Sequence, residues 1–275
     1  MTAAQLSPAT VADVVAHVHR RYDPATAQSW DAVGLVCGDP AAPVRRILVA
    51  VDPVEAVVTE ALAVGADLLL THHPLLLRPV SSVAATTPVG RTVHRLITGG
   101  CALLVAHTNA DVAYDGVSDA LAAVLGLGVV RPVVPSPSDR DAGIGRVGDL
   151  EAPTTLEEFA ERVRDALPPP AHGVRVAGDP GRVVRRVAVL SGSGGDDLEA
   201  AAATGADVIV TSDLKHHVAL DFLATGGPAV VDVAHFASEW PWVPLVASRL
   251  EADLAEHGVE VVLSTLTTDP WTFRA

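Results

Sequence analysis

Three places in the 275-residue chain gather side chains that bind metal ions. The first is THHP at 71–74, where His72 and His73 follow a short apolar run and Pro74 forces the backbone out of regular structure. The second is His107 with Asp111, and the third is His235 with Glu239. In both, a His closes an apolar run and a carboxylate follows four residues later. Neighbouring side chains on a strand point to opposite faces, so His72 and His73 are badly placed to chelate one ion. They are better placed to serve two ions side by side, provided the strand end bends. Four imidazoles and two carboxylates suit a pair of divalent ions, with a carboxylate able to bridge and positions left for water. Two such ions about 3.5–4 Å apart lower the pKa of a shared water, and the hydroxide formed attacks an electrophilic carbon or phosphorus. A nitrogen and oxygen donor set without thiolate points to Zn or Fe, with Mn, Co and Ni also compatible, and does not suit calcium.

Weaker candidates lie close by. TSDLKHH at 211–217 sits 140 residues after THHP, and its Asp213, Lys215, His216 and His217 could line the same cleft as ligand-orienting or proton-transfer groups. Read more plainly, Asp213 caps a polar helix start. SGSGGDD at 191–197 joins a strand to a helix; its backbone N–H groups could cradle an anion, or it is simply a tight turn. Cys37 has no base beside it in sequence and reads as packing.

The elements that must carry these residues come in two copies. RRILVAVD at 45–52 matches RRVAVLSG at 185–192, and GADLLLT at 65–71 matches GADVIVT at 205–211, both at an offset of 140. An Ala-rich stretch of helical composition separates each pair, so a β-α-β unit is used twice. Further on, TGG at 98–100 opens a strand ending at His107, and TGG at 225–227 opens one ending at His235. This predicts an α/β protein of two related layered lobes, 1–130 and 185–275, arising by internal duplication and sharing a dimetal cleft. All six ligands then fall at the C-terminal ends of strands, the edge where open α/β sheets bind ligands. The intervening 131–184 reads as a connector, with a short helix starting at Thr154 or Thr155 and presenting Leu156, Phe159, Val163 and Leu167. An opening helix is expected over 7–22, with Ser7 as N-cap and Val11, Val14, Val15 and Val18 as its apolar stripe.

Composition narrows the function classes. The chain has 33 acidic and 19 basic side chains, a net charge of −14 and a pI near 5.1, with no basic stripe for a nucleic-acid backbone. Nearly half the residues are apolar and only 19% are charged, as in a globular protein. The apolar runs are too short to span a membrane. No basic stretch precedes an apolar one at the start, and Cys37 and Cys101 share no CxxC spacing. A reduced, disulfide-free cytoplasmic protein is the expectation.

With THHPLLL, HTNADVAYDG, GSGG, TSDLKHH and VAHFASE in this order, the chain resembles the NIF-three-like dinuclear metal-centre hexameric proteins, often described as GTP cyclohydrolase 1 type 2 homologues. The resemblance runs from SWDAVGL at 29–35 to TTDPW at 267–271. It implies a two-metal centre on His72, His73, His107, Asp111, His235 and Glu239. It also implies a ring-shaped homohexamer, a trimer of dimers, whose metal sites face an internal cavity. Some members carry a ferredoxin-like domain between the halves, for which the connector here is too short. One departure is Ala32, where the family's W-D-N-x-G-L motif has Asn. The activity implied is a metal-dependent hydrolase on a small nucleotide-like molecule, such as ring-opening of GTP with loss of C8 as formate; a phosphoesterase would use the same ligands. The alternative is a non-enzymatic metal-binding, metal-delivery or ring-shaped scaffold protein. Leu75, Leu76 and Leu77, with Trp240 and Trp242, are candidates for joining subunits, unless they pack within one chain.

Overall fold

The computed structural model describes residues 8–137 and 139–275, so the expected cap Ser7 lies outside the described residues. The chain opens with β1 (Ala9–Thr10), α1 (Val11–Arg21), β2 (Gly34–Cys37), β3 (Pro43–Val44), β4 (Arg46–Ala50) and α2 (Glu55–Ala63). Next come β5 (Leu68–Thr71), α3 (Pro88–Thr98), β6 (Ala102–Val105), α4 (Thr108–Val112) and α5 (Val117–Val124). Then follow β7 (Val134–Pro135), β8 (Gly143–Ile144), β9 (Arg146–Thr155), α6 (Leu156–Ala166), β10 (Arg175–Ala177) and β11 (Val183–Ser193). The remainder is α7 (Leu198–Ala203), β12 (Val208–Ser212), α8 (His216–Ala224), β13 (Ala229–Val233), α9 (His235–Glu239), α10 (Trp242–Asp253) and β14 (Glu260–Leu263). None of the described helices is long and apolar enough to cross a membrane.

Two compact units result, and their bounds differ from the expected lobes. The first takes residues up to Ala110 together with Val243–Thr268; the second takes Asp111–Trp242 and Asp269–Ala275. The reason is strand pairing. β14 pairs in parallel with β4, Glu260 opposite Arg46, and so returns the end of the chain to the first sheet. The expected connector is likewise part of the second unit, because β9 pairs antiparallel with β11 and α6 packs on the same sheet. Thr155 caps α6 as expected: its hydroxyl accepts from Glu158 N, and Glu158 reaches back to Thr155 N. At the start of the chain, Thr10 and Asp13 form that same reciprocal cap on α1, with Thr10 in the cap position three residues after Ser7.

Each unit is a five-stranded sheet covered by helices. The first has the order β14-β4-β5-β6-β2, parallel except for β2 at the edge; the second has β10-β13-β12-β11-β9, with antiparallel strands at both edges. The central registers agree residue for residue at the offset of 140: Ile47 faces Leu68 and Leu48 faces Leu69, while Val187 faces Val208 and Ala188 faces Ile209. These strands are apolar along their length because both faces are covered. Leu48, Leu69 and Leu103 pack against Val57, Val58 and Leu96 in the first unit; Val187, Val208 and Val231 pack against Leu156, Phe159 and Val163 in the second. In both sheets the three central strands run parallel, and the candidate site residues His72, His73, His107 and His235 lie just past the C-terminal ends of β5, β6 and β13.

Candidate metal centre

In the first unit three histidines converge. β5 ends at Thr71 and the chain bends at once, held by Thr71 Oγ1 donating to His73 O at 2.9 Å. The strand end bends, as the reading of THHP required, and His72 and His73 lie side by side: their ring centroids are 5.0 Å from each other, and 5.1 and 5.5 Å from that of His107. One ligand nitrogen from each imidazole lies within 4.8 Å of the other two.

Each of these rings has an acceptor behind it. His72 Nδ1 donates to the Ala106 carbonyl at 2.9 Å, His73 Nδ1 to Asp52 Oδ1 at 2.7 Å, and His107 Nδ1 to Asp31 Oδ1 at 2.9 Å. A carbonyl or carboxylate can only accept, so in the neutral imidazole the proton sits on Nδ1 and the Nε2 lone pair is left to bind a metal. Asp31 is itself fixed, accepting from Thr108 N at 3.0 Å and Thr108 Oγ1 at 2.5 Å. Asp52 accepts from the Thr268 hydroxyl, near the end of the chain's return to this unit. Burial, reinforced by His72 alongside, pushes His107 down to about 4 despite Asp31, so this ring is neutral at neutral pH. Burial works to raise Asp31, but the hydrogen bonds from His107 and Thr108 outweigh it and hold the carboxyl below its usual range.

In the second unit α9 begins directly after β13, which puts His235 and Glu239 one turn apart with His235 Nε2 2.9 Å from Glu239 Oε1. Two donors about 2.0–2.2 Å from one ion stand roughly 3 Å apart, so this pair has the spacing of co-ligands. His235 repeats the bracing seen above, with Nδ1 donating to Asp213 Oδ2 at 2.7 Å. Asp213 holds φ at +59°, a left-handed conformation that costs a non-glycine residue free energy and is kept where the structure demands it. Glu239 is only 3% exposed, and a buried carboxylate needs a charge partner or a cation. The floor beneath the pair is Gly192, at φ +62°. A Cβ there would lie 2.5 Å from Glu239 Oε1 and 3.1 Å from His235 Nε2. Position 192 is the counterpart, at the offset of 140, of Asp52.

The three imidazoles of fixed tautomer in the first unit, and separately the braced imidazole and buried carboxylate over a glycine floor in the second, each have donors that fit a divalent transition ion. Asp111 lies on α4 in the second unit, not in the first where the sequence placed it, and is half-buried. Of the weaker candidates, Asp213 accepts from His235 Nδ1 and so orients that ring. Lys215, His216 and His217 stand exposed at the start of α8. The possible anion cradle at 191–197 is a turn, since Gly192 N donates to Ser238 Oγ and Gly194 N to Thr211 Oγ1. Cys37 packs at the edge of the first core, and burial pushes its thiol up. The residues missed in sequence are Asp31 and Asp52; the only signal for Asp31 was its place in WDAVGL.

A family model described as Duf34/NIF3 (NGG1p interacting factor 3) matches residues 9–270. A Streptomyces coelicolor protein named GTP cyclohydrolase 1 type 2 homolog is 52% identical over 250 residues, 90% of this chain and 88% of the relative. A Clostridium perfringens protein of the same name is 37% identical over 246 residues, 90% and 92% of the two chains. Among solved structures, a Bacillus cereus protein related to NIF3 superposes with a TM-score of 0.89 at 25% identity, covering 98% of this chain and all of that one. A Staphylococcus aureus protein gives 0.90 at 28% identity, again over 98% and 100%.

Proposed function

This chain belongs to the Duf34/NIF3 family, and from that premise we propose that it binds two divalent metal ions and hydrolyses a small nucleotide-like substrate. The observation that carries the reading is the acceptor behind each of the four imidazoles, an arrangement that leaves the Nε2 lone pair of each ring available to a metal. His72, His73, His107, Asp111, His235 and Glu239 hold the ions, zinc or iron by donor type, and Asp31, Asp52 and Asp213 hold the ring orientations. Once bound, such ions supply Lewis acidity and make water acidic enough to ionise near neutral pH. The relatives' name points to hydrolytic opening of a guanine ring, and the donor set accommodates carbon and phosphorus electrophiles equally. The shared strand order and the register offset of 140 support an origin of the two units by internal duplication.

The test begins with elemental analysis of the purified protein, followed by a screen of nucleotides, phosphodiesters and cyclic amides. Two ions per chain and turnover lost by at least about 100-fold in Asp111→Asn are expected, since the substitution removes a charged ligand. One tightly held ion at most, even after reconstitution, overturns the paired centre. Turnover that survives both Asp111→Asn and a chelator belongs to a contaminant.

A further inference from the structure

Arg146 begins β9 and is 1% exposed, which is rare for a residue that cannot give up its charge. All five of its N–H groups are used. Nε donates to Asp119 Oδ1 at 2.8 Å and Nη2 lies 2.7 Å from Asp119 Oδ2. Nη2 also donates to Ala113 O, and Nη1 to Gly143 O and Gly145 O, each at 2.7 Å. Asp119 Oδ2 in turn accepts from Gly116 N at 3.1 Å.

These bonds converge on one short bend. Ala113–Gly116 connects α4 to α5; Arg146 grips its first residue and Asp119 its last. The bend is not regular structure, and within it Asp115 holds φ at +60°. Two residues before Ala113 stands Asp111. From the other side, Ser118 on α5 bonds Ser191 at 2.8 Å, next to the Gly192 floor of the His235–Glu239 pair. A buried ion pair is weak evidence for stability, because apolar groups of similar volume often serve as well. What it supplies here is position: a planar fork with five fixed directions, three of them ending on backbone carbonyls.

We propose that Arg146, paired with Asp119, is a positioning residue for the metal ligand Asp111, acting through the Ala113 carbonyl to set where that carboxylate stands. The inference rests on Asp111 being a ligand, as read above. The probe is Co²⁺, titrated into the full-length metal-free chain, with affinity and the visible d–d absorption as readouts and circular dichroism to confirm folding. Arg146→Gln removes the fork. Asp119→Asn is the milder variant, keeping the side-chain oxygen but not the charge. Arg21→Gln, which breaks an Arg–Asp pair remote in sequence from the ligands, is the control.

Both clamp variants are expected to bind Co²⁺ about 10–100-fold more weakly and to change the d–d spectrum, the effect typical of losing a group that orients a ligand. The control is expected to lower the unfolding midpoint and leave the spectrum alone. A folded Arg146→Gln or Asp119→Asn protein with wild-type affinity and spectrum overturns the proposal. Failure of both to fold does so too, by assigning the pair to the fold. Wild-type protein that takes up no Co²⁺ overturns the metal reading itself, and this inference with it.

Discussion

His107 is neutral at neutral pH, and that readiness is set by its surroundings rather than by its type. Burial strips water from the ring, and Asp31 claims the Nδ1 proton. Removing a brace should therefore loosen metal while leaving every ligand in place. Asp31→Ala and Asp52→Ala are each expected to weaken zinc binding about 10–100-fold, read by competition with a chromophoric chelator. Gly192→Ala is expected to do more. It adds a methyl group where Glu239 and His235 already stand, at a φ that alanine disfavours, and elemental analysis should find an ion missing. The proposed ligands stood out in sequence because His72 and His73 are adjacent and because Asp111 and Glu239 each follow a His by four residues. Asp31 and Asp52 were not: they reach their histidines across 76 and 21 residues, and an Asp entering a loop has no mark of its own.

Repeated strands were the other legible feature, since parallel strands covered on both faces must be apolar and the same spacing recurs at 140. The edge strands escaped. β9 reads as loop because an edge strand tolerates Gly148, Pro153 and exposed charge, and its place became visible only through its pairing with β11. β14 escaped for a different reason: nothing local says that Glu260–Leu263 belongs beside Arg46–Val49. Its unit has a second long-range tie, Arg21 on α1 donating from Nε and Nη2 to the two oxygens of Asp253 on α10, both at 2.8 Å. The hydrogen bond from Arg21 holds the Asp253 carboxyl below its ordinary value. A carboxyl whose folded pKa is depressed stabilises above its unfolded pKa, near 3.8, and loses that contribution as pH falls through the folded value. Arg21→Gln should cost about 1 kcal/mol at pH 7, and the gap to wild type should close below that window. Urea denaturation at neutral and acidic pH checks both halves.

At the scale of the whole molecule, charge and apolar surface pull against each other. Six chains at −14 each would carry −84, so a hexamer of the kind the family resemblance implies would have to be driven by apolar contact. Trp242 does not contribute, being fully buried within its own chain; Leu77, 40% exposed just after the His pair, still can. If that segment joins subunits, metal loading should stabilise the ring by linkage, with the sedimentation coefficient of the metal-free protein falling first as salt is lowered. A monomer under every condition removes the ring.

The path of the chain between its two units also fixes an order of events during synthesis. Every strand of the second sheet has left the ribosome once Val233 emerges, whereas the first sheet still lacks β14, and β4 presents an open edge until Leu263. The sheet begun first is thus finished last. Throughout that interval a nascent chain exposes an apolar parallel strand, Ile47 to Ala50, with its backbone groups unsatisfied on one side. Pauses in translation after residue 233 would lengthen the exposure, and with it the demand on chaperones.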